Sequence, residues 1–92
     1  MNMKEANIAE ITKRNILSNA SYRCEVCGTA LGYGKDEERP RYYFIIPIMQ
    51  GGEKKETNVS VMCPTDGERF KELDQDLLLR RAMYREMAEP DT

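Results

Sequence analysis

The chain has 92 residues, 40% of them hydrophobic and 33% charged, with 14 lysines and arginines against 16 aspartates and glutamates and a formal net charge of −2. That length supports one small domain, residues 1–92, whose core has no Trp and only two Phe to draw on and therefore needs a further staple. There is no histidine, which excludes imidazole acid–base catalysis and imidazole metal ligands together.

Residues 4–20 are expected to be helical, on a stripe of Ile8, Thr12, Ile16 and Ala20, with Asn7 and Glu10 as a capping pair. Ser18, Asn19 and Ser21 compete for backbone hydrogen bonds and end it. Residues 28–41, rich in glycine and charge, read as a surface loop. Tyr42 to Ile46 form the strongest strand signal, closed by Pro47. Gly51, Gly52 and the charged run 53–56 then make a turn, and Val59 to Met62 return with Val59 and Val61 inward. Thr65 and Glu68 form a capping box for a last helix over about 66–89, with Phe70, Leu73, Leu77 and Tyr84 on its inward stripe.

No apolar run approaches the roughly 18 residues of a membrane span. Lys4, Glu5, Glu10, Lys13 and Arg14 occupy the stretch that a signal peptide leaves uncharged. The expected location is the cytoplasm, where three cysteines suit a metal site better than a disulfide set.

Cys24 and Cys27 have the two-residue gap that turns both thiolates toward a single ion, with Gly28 free to close the turn. Cys63 and Asp66 repeat that gap at the mouth of the last helix, and three thiolates with one carboxylate complete a tetrahedron suited to Zn2+. Competing readings attach to each residue. Cys24 and Cys27 could be a redox dithiol, though the βαβ setting of that motif is missing. Cys63 could be a buried hydrophobe. Asp66 is also explained by the helix dipole and capping, which leaves water or Glu68 as the fourth ligand.

Taken in order, Cys24-x-x-Cys27-Gly28, Ile45-Ile46-Pro47, Gly51-Gly52, Asn58-Val59 and Cys63 with Asp66 resemble the zinc-stapled HNH endonuclease family over about residues 20–71. The resemblance implies an α+β fold with a treble-clef or ββα-metal core, here between an N-terminal and a long C-terminal helix. It also implies DNA cleavage with Mg or a similar ion. The family's general-base histidine falls on Phe44, its neighbouring acid on Tyr43, its metal-binding histidine on Gly67 and its fourth zinc thiolate on Asp66. Asn58 alone is retained, and turn chemistry gives it a structural role as well. Phe44 accepts no proton and Gly67 has no side chain for a metal, so the hydrolytic machinery is missing.

The expected function is that of a non-catalytic, zinc-stabilised HNH-like binding module, working through a protein partner or a weak nucleic-acid contact. Arg39, Arg41, Lys54 and Lys55 are the candidates for phosphates. Leu79, Met83 and Met87 widen the apolar arc of the last helix and suggest a partner or homodimer face, with the first helix as the alternative cover. The competing reading is a metal-dependent nuclease with a rearranged site, in which Asp66, Glu68 or Glu53 holds Mg and an acidic residue or Tyr43 assists water.

Overall fold

A computed structural model describes residues 5–87. Helix α1 (Glu10–Asn19) precedes a long irregular segment, strand β1 (Arg41–Phe44), strand β2 (Val59–Met62), the short helix α2 (Pro64–Glu68) and helix α3 (Gln75–Met87). Single 3-10 turns lie at Asp36–Glu38, Ile48–Gln50, Glu56–Asn58 and Phe70–Glu72. The strands pair antiparallel, Arg41 opposite Met62 and Phe44 opposite Val59. The result is a small α+β unit with a radius of gyration of 12.2 Å.

An isolated two-stranded ribbon is marginal in water, and here both outer edges are occupied. The Ala6 N–H donates to the Tyr42 carbonyl at 2.7 Å, and the Tyr42 N–H to Glu5 Oε1 at 3.2 Å. On the other edge the Glu25 N–H donates to the Val61 carbonyl and the Val61 N–H to Glu25 Oε1, both at 3.0 Å. All four residues of β2 are buried, rather than Val59 and Val61 alone, because α3 packs over this strand as well. Ile16 and Leu17 of α1, Tyr42 and Ile45 from the first arm of the hairpin, and Leu78 and Ala82 of α3 complete the core.

Several expectations about the helices are corrected. The first helix starts at Glu10 rather than near residue 4, with Ala9 at its N-cap and no side-chain cap, because the segment around Ala6 is recruited to the edge of β1. Leu17, off the expected stripe, is buried beside Ile16, whereas Ile11 is exposed. The last helix is not continuous over 66–89: Leu73 is extended (ψ 148°), and Asp74 Oδ1 accepts the Asp76 N–H at 3.0 Å, which starts α3 afresh. Residues 88 and 89 of that range lie outside the described residues.

The break resets the helical phase. The inward face of α3 is Leu78, Ala82 and Arg85, while Leu77 and Tyr84, expected inside, are 41% and 82% exposed. The capping box is likewise absent: the N-cap of α2 is Cys63, without a side-chain cap, and Pro64 takes the first helical turn. Among the described residues no helix is long and apolar enough to cross a membrane.

Candidate metal centre

The first half of the site is a tight turn. The Cys24 N–H bonds the Thr29 carbonyl at 2.8 Å, the Gly28 N–H bonds the Cys24 carbonyl at 2.9 Å, and the Val26 N–H points at Cys24 Sγ from 3.4 Å. Gly28 closes the turn at φ 79°, a conformation that side chains other than Gly and Asn resist. The second half is supplied by the exit from β2. Cys63 caps α2, its carbonyl accepts the Gly67 N–H at 2.9 Å, and one turn of helix returns the Asp66 side chain over the cysteine.

These two halves bring Cys24, Cys27, Cys63 and Asp66 together, with one ligand atom from each lying within 4.8 Å of all the others. Cys27 Sγ and Cys63 Sγ are 3.8 Å apart, and Asp66 Oδ2 lies 3.2 Å from the sulfurs of both Cys24 and Cys63. Ligand bonds of about 2.3 Å to sulfur and about 2.0 Å to oxygen give tetrahedral edges of about 3.8 Å for S···S and about 3.5 Å for S···O. The quartet therefore has the dimensions needed to hold one small metal ion. The Asp66 carboxylate faces the thiols, whereas Glu68 is exposed.

The electrostatics match the donor set. Burial, reinforced by the Asp66 carboxylate, pushes the Cys63 thiol up to about 12. Burial also acts to raise the Asp66 carboxyl, but hydrogen bonds from the three thiols and the charge of Arg69, 3.4 Å away, outweigh it and hold Asp66 below its usual value. Without a cation the three thiols thus act as donors to the Asp66 carboxylate. A cation at its centre would favour the thiolates instead.

Sequence reasoning missed the group that locks this turn to the last helix. Arg85, whose side chain is only 2% exposed, bonds Glu25 Oε1, the Glu56 carbonyl and, at 2.7 Å, Glu86 Oε2. Arg81 bonds the Glu25 carbonyl and, at 3.1 Å, the Val26 carbonyl. Glu25 thus joins the cysteine turn, the edge of β2 and α3 at once. Burial pushes its carboxyl above the ordinary range and Arg85 offsets part of that. The available signal was an acid inside the Cys-x-x-Cys gap matched by two arginines at i, i+4 on a later helix.

Asn58 is 4% exposed and works on the backbone. Its Oδ1 accepts the Ile46 N–H, and its Nδ2 donates to the carbonyls of Ile46 and Glu53, all at 2.9 Å. Gly52 fits against this clamp because any Cβ there would stand 1.8 Å from the Ile46 oxygen. The space beside Gly67 is also taken: a Cβ at that position would come within 2.9 Å of the Tyr43 hydroxyl, and the Tyr43 ring stacks on Phe70 at 4.9 Å.

The candidate basic residues do not converge. Arg41 opens β1 and lies 3.9 Å from Glu5, Arg39 lies 3.7 Å from Asp36, and Lys55, beyond the other end of the hairpin beside Lys54, pairs with Glu53 at 3.2 Å. Of the candidate partner face, Leu79 packs at the margin of the core, whereas Met83 and Met87 are exposed. Glu53 and Glu68 join no second group of three or more metal-ligating side chains among the described residues. No protein-family model matches the chain, and no curated protein matches it in sequence.

Proposed function

We propose that this protein is a zinc-stapled, HNH-like binding module of the treble-clef kind that has no nuclease chemistry. The observation that carries the reading is the Cys24, Cys27, Cys63 and Asp66 quartet, whose spacing suits a tetrahedral ion. The order of cysteine turn, hairpin and helix-borne second ligand pair supports a treble-clef assignment. Zinc would supply a structural crosslink between the turn and α2, with no open position for chemistry once all four ligands are engaged.

The aromatic packing supports the non-catalytic half of the proposal. In the HNH-like alignment the histidine positions fall on Phe44 and Gly67, and the volume next to Gly67 holds the Tyr43 ring. No side chain there can deprotonate water near neutral pH. The module then acts by contact. The outward side of α3, where Leu77, Met83, Tyr84 and Met87 are exposed, suits a protein partner better than the acid-paired basic residues suit phosphates.

Two measurements test this. Elemental analysis should find one zinc per chain, and supercoiled DNA should remain intact with Mg or Mn. Finding no zinc would sink the staple. Cleavage that disappears in Asp66→Ala or Glu68→Ala would establish the rearranged nuclease in its place. The Phe44→His/Gly67→His double variant should also stay inactive, because the Tyr43 ring blocks an imidazole at position 67.

A further inference from the structure

The four ligand side chains are unequal in their access to solvent. Cys24 and Cys63 are 3% and 5% exposed and Asp66 5%, whereas Cys27 stands at the surface. Cys24 sulfur is also fastened from two sides, by the Val26 N–H at 3.4 Å and by Asp66 at 3.2 Å. Cys27 Sγ instead lies 3.8 Å from Cys63 Sγ, close enough for a sulfur–sulfur bond of about 2.05 Å to form through small side-chain rotations. One of the three sulfurs therefore meets solvent, and a second lies directly behind it.

We infer that Cys27 is an oxidation site for hydroperoxides and that its oxidation ejects the metal by forming a Cys27–Cys63 disulfide. This rests on the zinc reading above but adds a reaction to it. In the first step Cys27 sulfur attacks the outer peroxide oxygen. An S–O bond forms, the O–O bond breaks, and the leaving alkoxide or hydroxide takes a proton from water, giving Cys27 sulfenic acid. In the second step the Cys63 sulfur, a thiolate only while the proposed ion holds it, attacks Cys27 sulfur, the S–S bond forms, the S–O bond breaks, and hydroxide leaves to be protonated to water. The peroxide gains the two electrons that the two sulfurs lose.

The ion is then left with Cys24 and Asp66 alone, half of its ligand set, and is released. A dithiol reductant reverses the sequence by thiol–disulfide exchange and restores the quartet. The pairing differs from that of a redox Cys-x-x-Cys, because the resolving sulfur belongs to the helix end and not to the same turn. Oxidation consequently replaces an ion that joins the turn to α2 with a covalent bond that joins the same two places.

The experiment uses the full zinc-loaded chain and hydrogen peroxide. Released zinc is followed with a chromophoric chelator, and the products are digested with proteases cutting after arginine and after glutamate. Cleavage after Arg23 and Glu25 separates Cys24 from Cys27. The expected result is one zinc released for each Cys27–Cys63 cross-linked peptide, with uptake of zinc again after dithiothreitol. A Cys27→His variant, which keeps a fourth ligand but lacks the exposed thiol, should release zinc at least about tenfold more slowly.

Zinc retained at peroxide levels that oxidise glutathione overturns the switch and leaves the staple standing. Zinc released with Cys24–Cys27 or Cys24–Cys63 links, or with no disulfide, also overturns it. A chain that binds no zinc before peroxide is added overturns the staple and the switch together.

Discussion

One turn packs on the edge of this hairpin and another loop joins its two strands, and they are held in opposite ways. Each contains a glycine at positive φ, Gly28 at 79° in one and Gly51 at 96° in the other. The turn 24–28 directs its polar side chains, Cys24 and Cys27, toward a shared point outside itself. The loop 46–58 is organised from within by one amide, Asn58, which answers three backbone groups without any ion. On the proposed metal reading, a small chain solves the same problem, satisfying the polar groups of an irregular segment, once with an outside component and once with a residue of its own. The first solution depends on conditions, and the second does not.

Removing the ion should have the largest effect. Structural zinc stabilises small domains by more than their usual margin. A chelator, or Cys24→Ser, should therefore cost about 5 kcal/mol or more. At about 4–8 °C per kcal/mol, that is a melting-temperature drop above about 20 °C. A Cys24→Ser protein melting like the parent would abolish the contrast between the two turns. Asp66→Ala should be milder, lowering metal affinity while leaving the three thiolates in place, and a metal titration will show it.

Next in size is Arg85→Ala, expected to destabilise by about 3–5 kcal/mol because it leaves the buried Glu25 carboxylate and the Glu56 carbonyl without their partner. Denaturant melts of Arg85→Ala, Glu25→Gln and the double variant should show clear non-additivity. Strict additivity would mean that the two side chains do not share their energy, and the tie between turn and helix would lose its meaning. Asn58→Ala should cost about 2–3 kcal/mol, since it strands the polar groups of Ile46 and Glu53. That loss should be the same with and without bound metal, and a difference would show the second turn to depend on the first.

The smallest expected effects separate neighbours on α3. Met83→Glu, at a 51% exposed position, should stay within about 0.5 kcal/mol of the parent. Leu79→Glu should cost more than about 1 kcal/mol, because it places a carboxylate against the core margin. Equal losses would mean that the core margin does not discriminate the two positions.

The ligand quartet was legible because its signal is local: two short spacings and the right residue types define it, and only the meeting of the two pairs needed a fold. The hairpin was legible for a similar reason, since Tyr42 to Ile46 and Val59 to Met62 are strand formers flanking glycines. Its burial was not, because alternation assumes one wet face and α3 covers β2. The break before α3 was hidden by an ambiguity of Asp74, which suits the acidic N-terminal half of a long helix as well as the cap of a new one. That one misreading displaced the whole inward stripe. Arg85 escaped because a charge on a helix ordinarily belongs to solvent, and only the position of Glu25 in space makes its burial favourable. The filling of the space beside Gly67 by Tyr43 is a matter of tertiary contact that no local pattern encodes.

The tie between Arg85 and Glu25 spans 60 positions of sequence. Closing that contact brings together two distant points of the chain, which makes the docking of α3 on the cysteine turn a non-local step of folding. Until α3 docks, the Glu25 carboxylate lies open to water, and the arrival of Arg85 closes the cysteine turn and the edge of β2 against the helix in one contact.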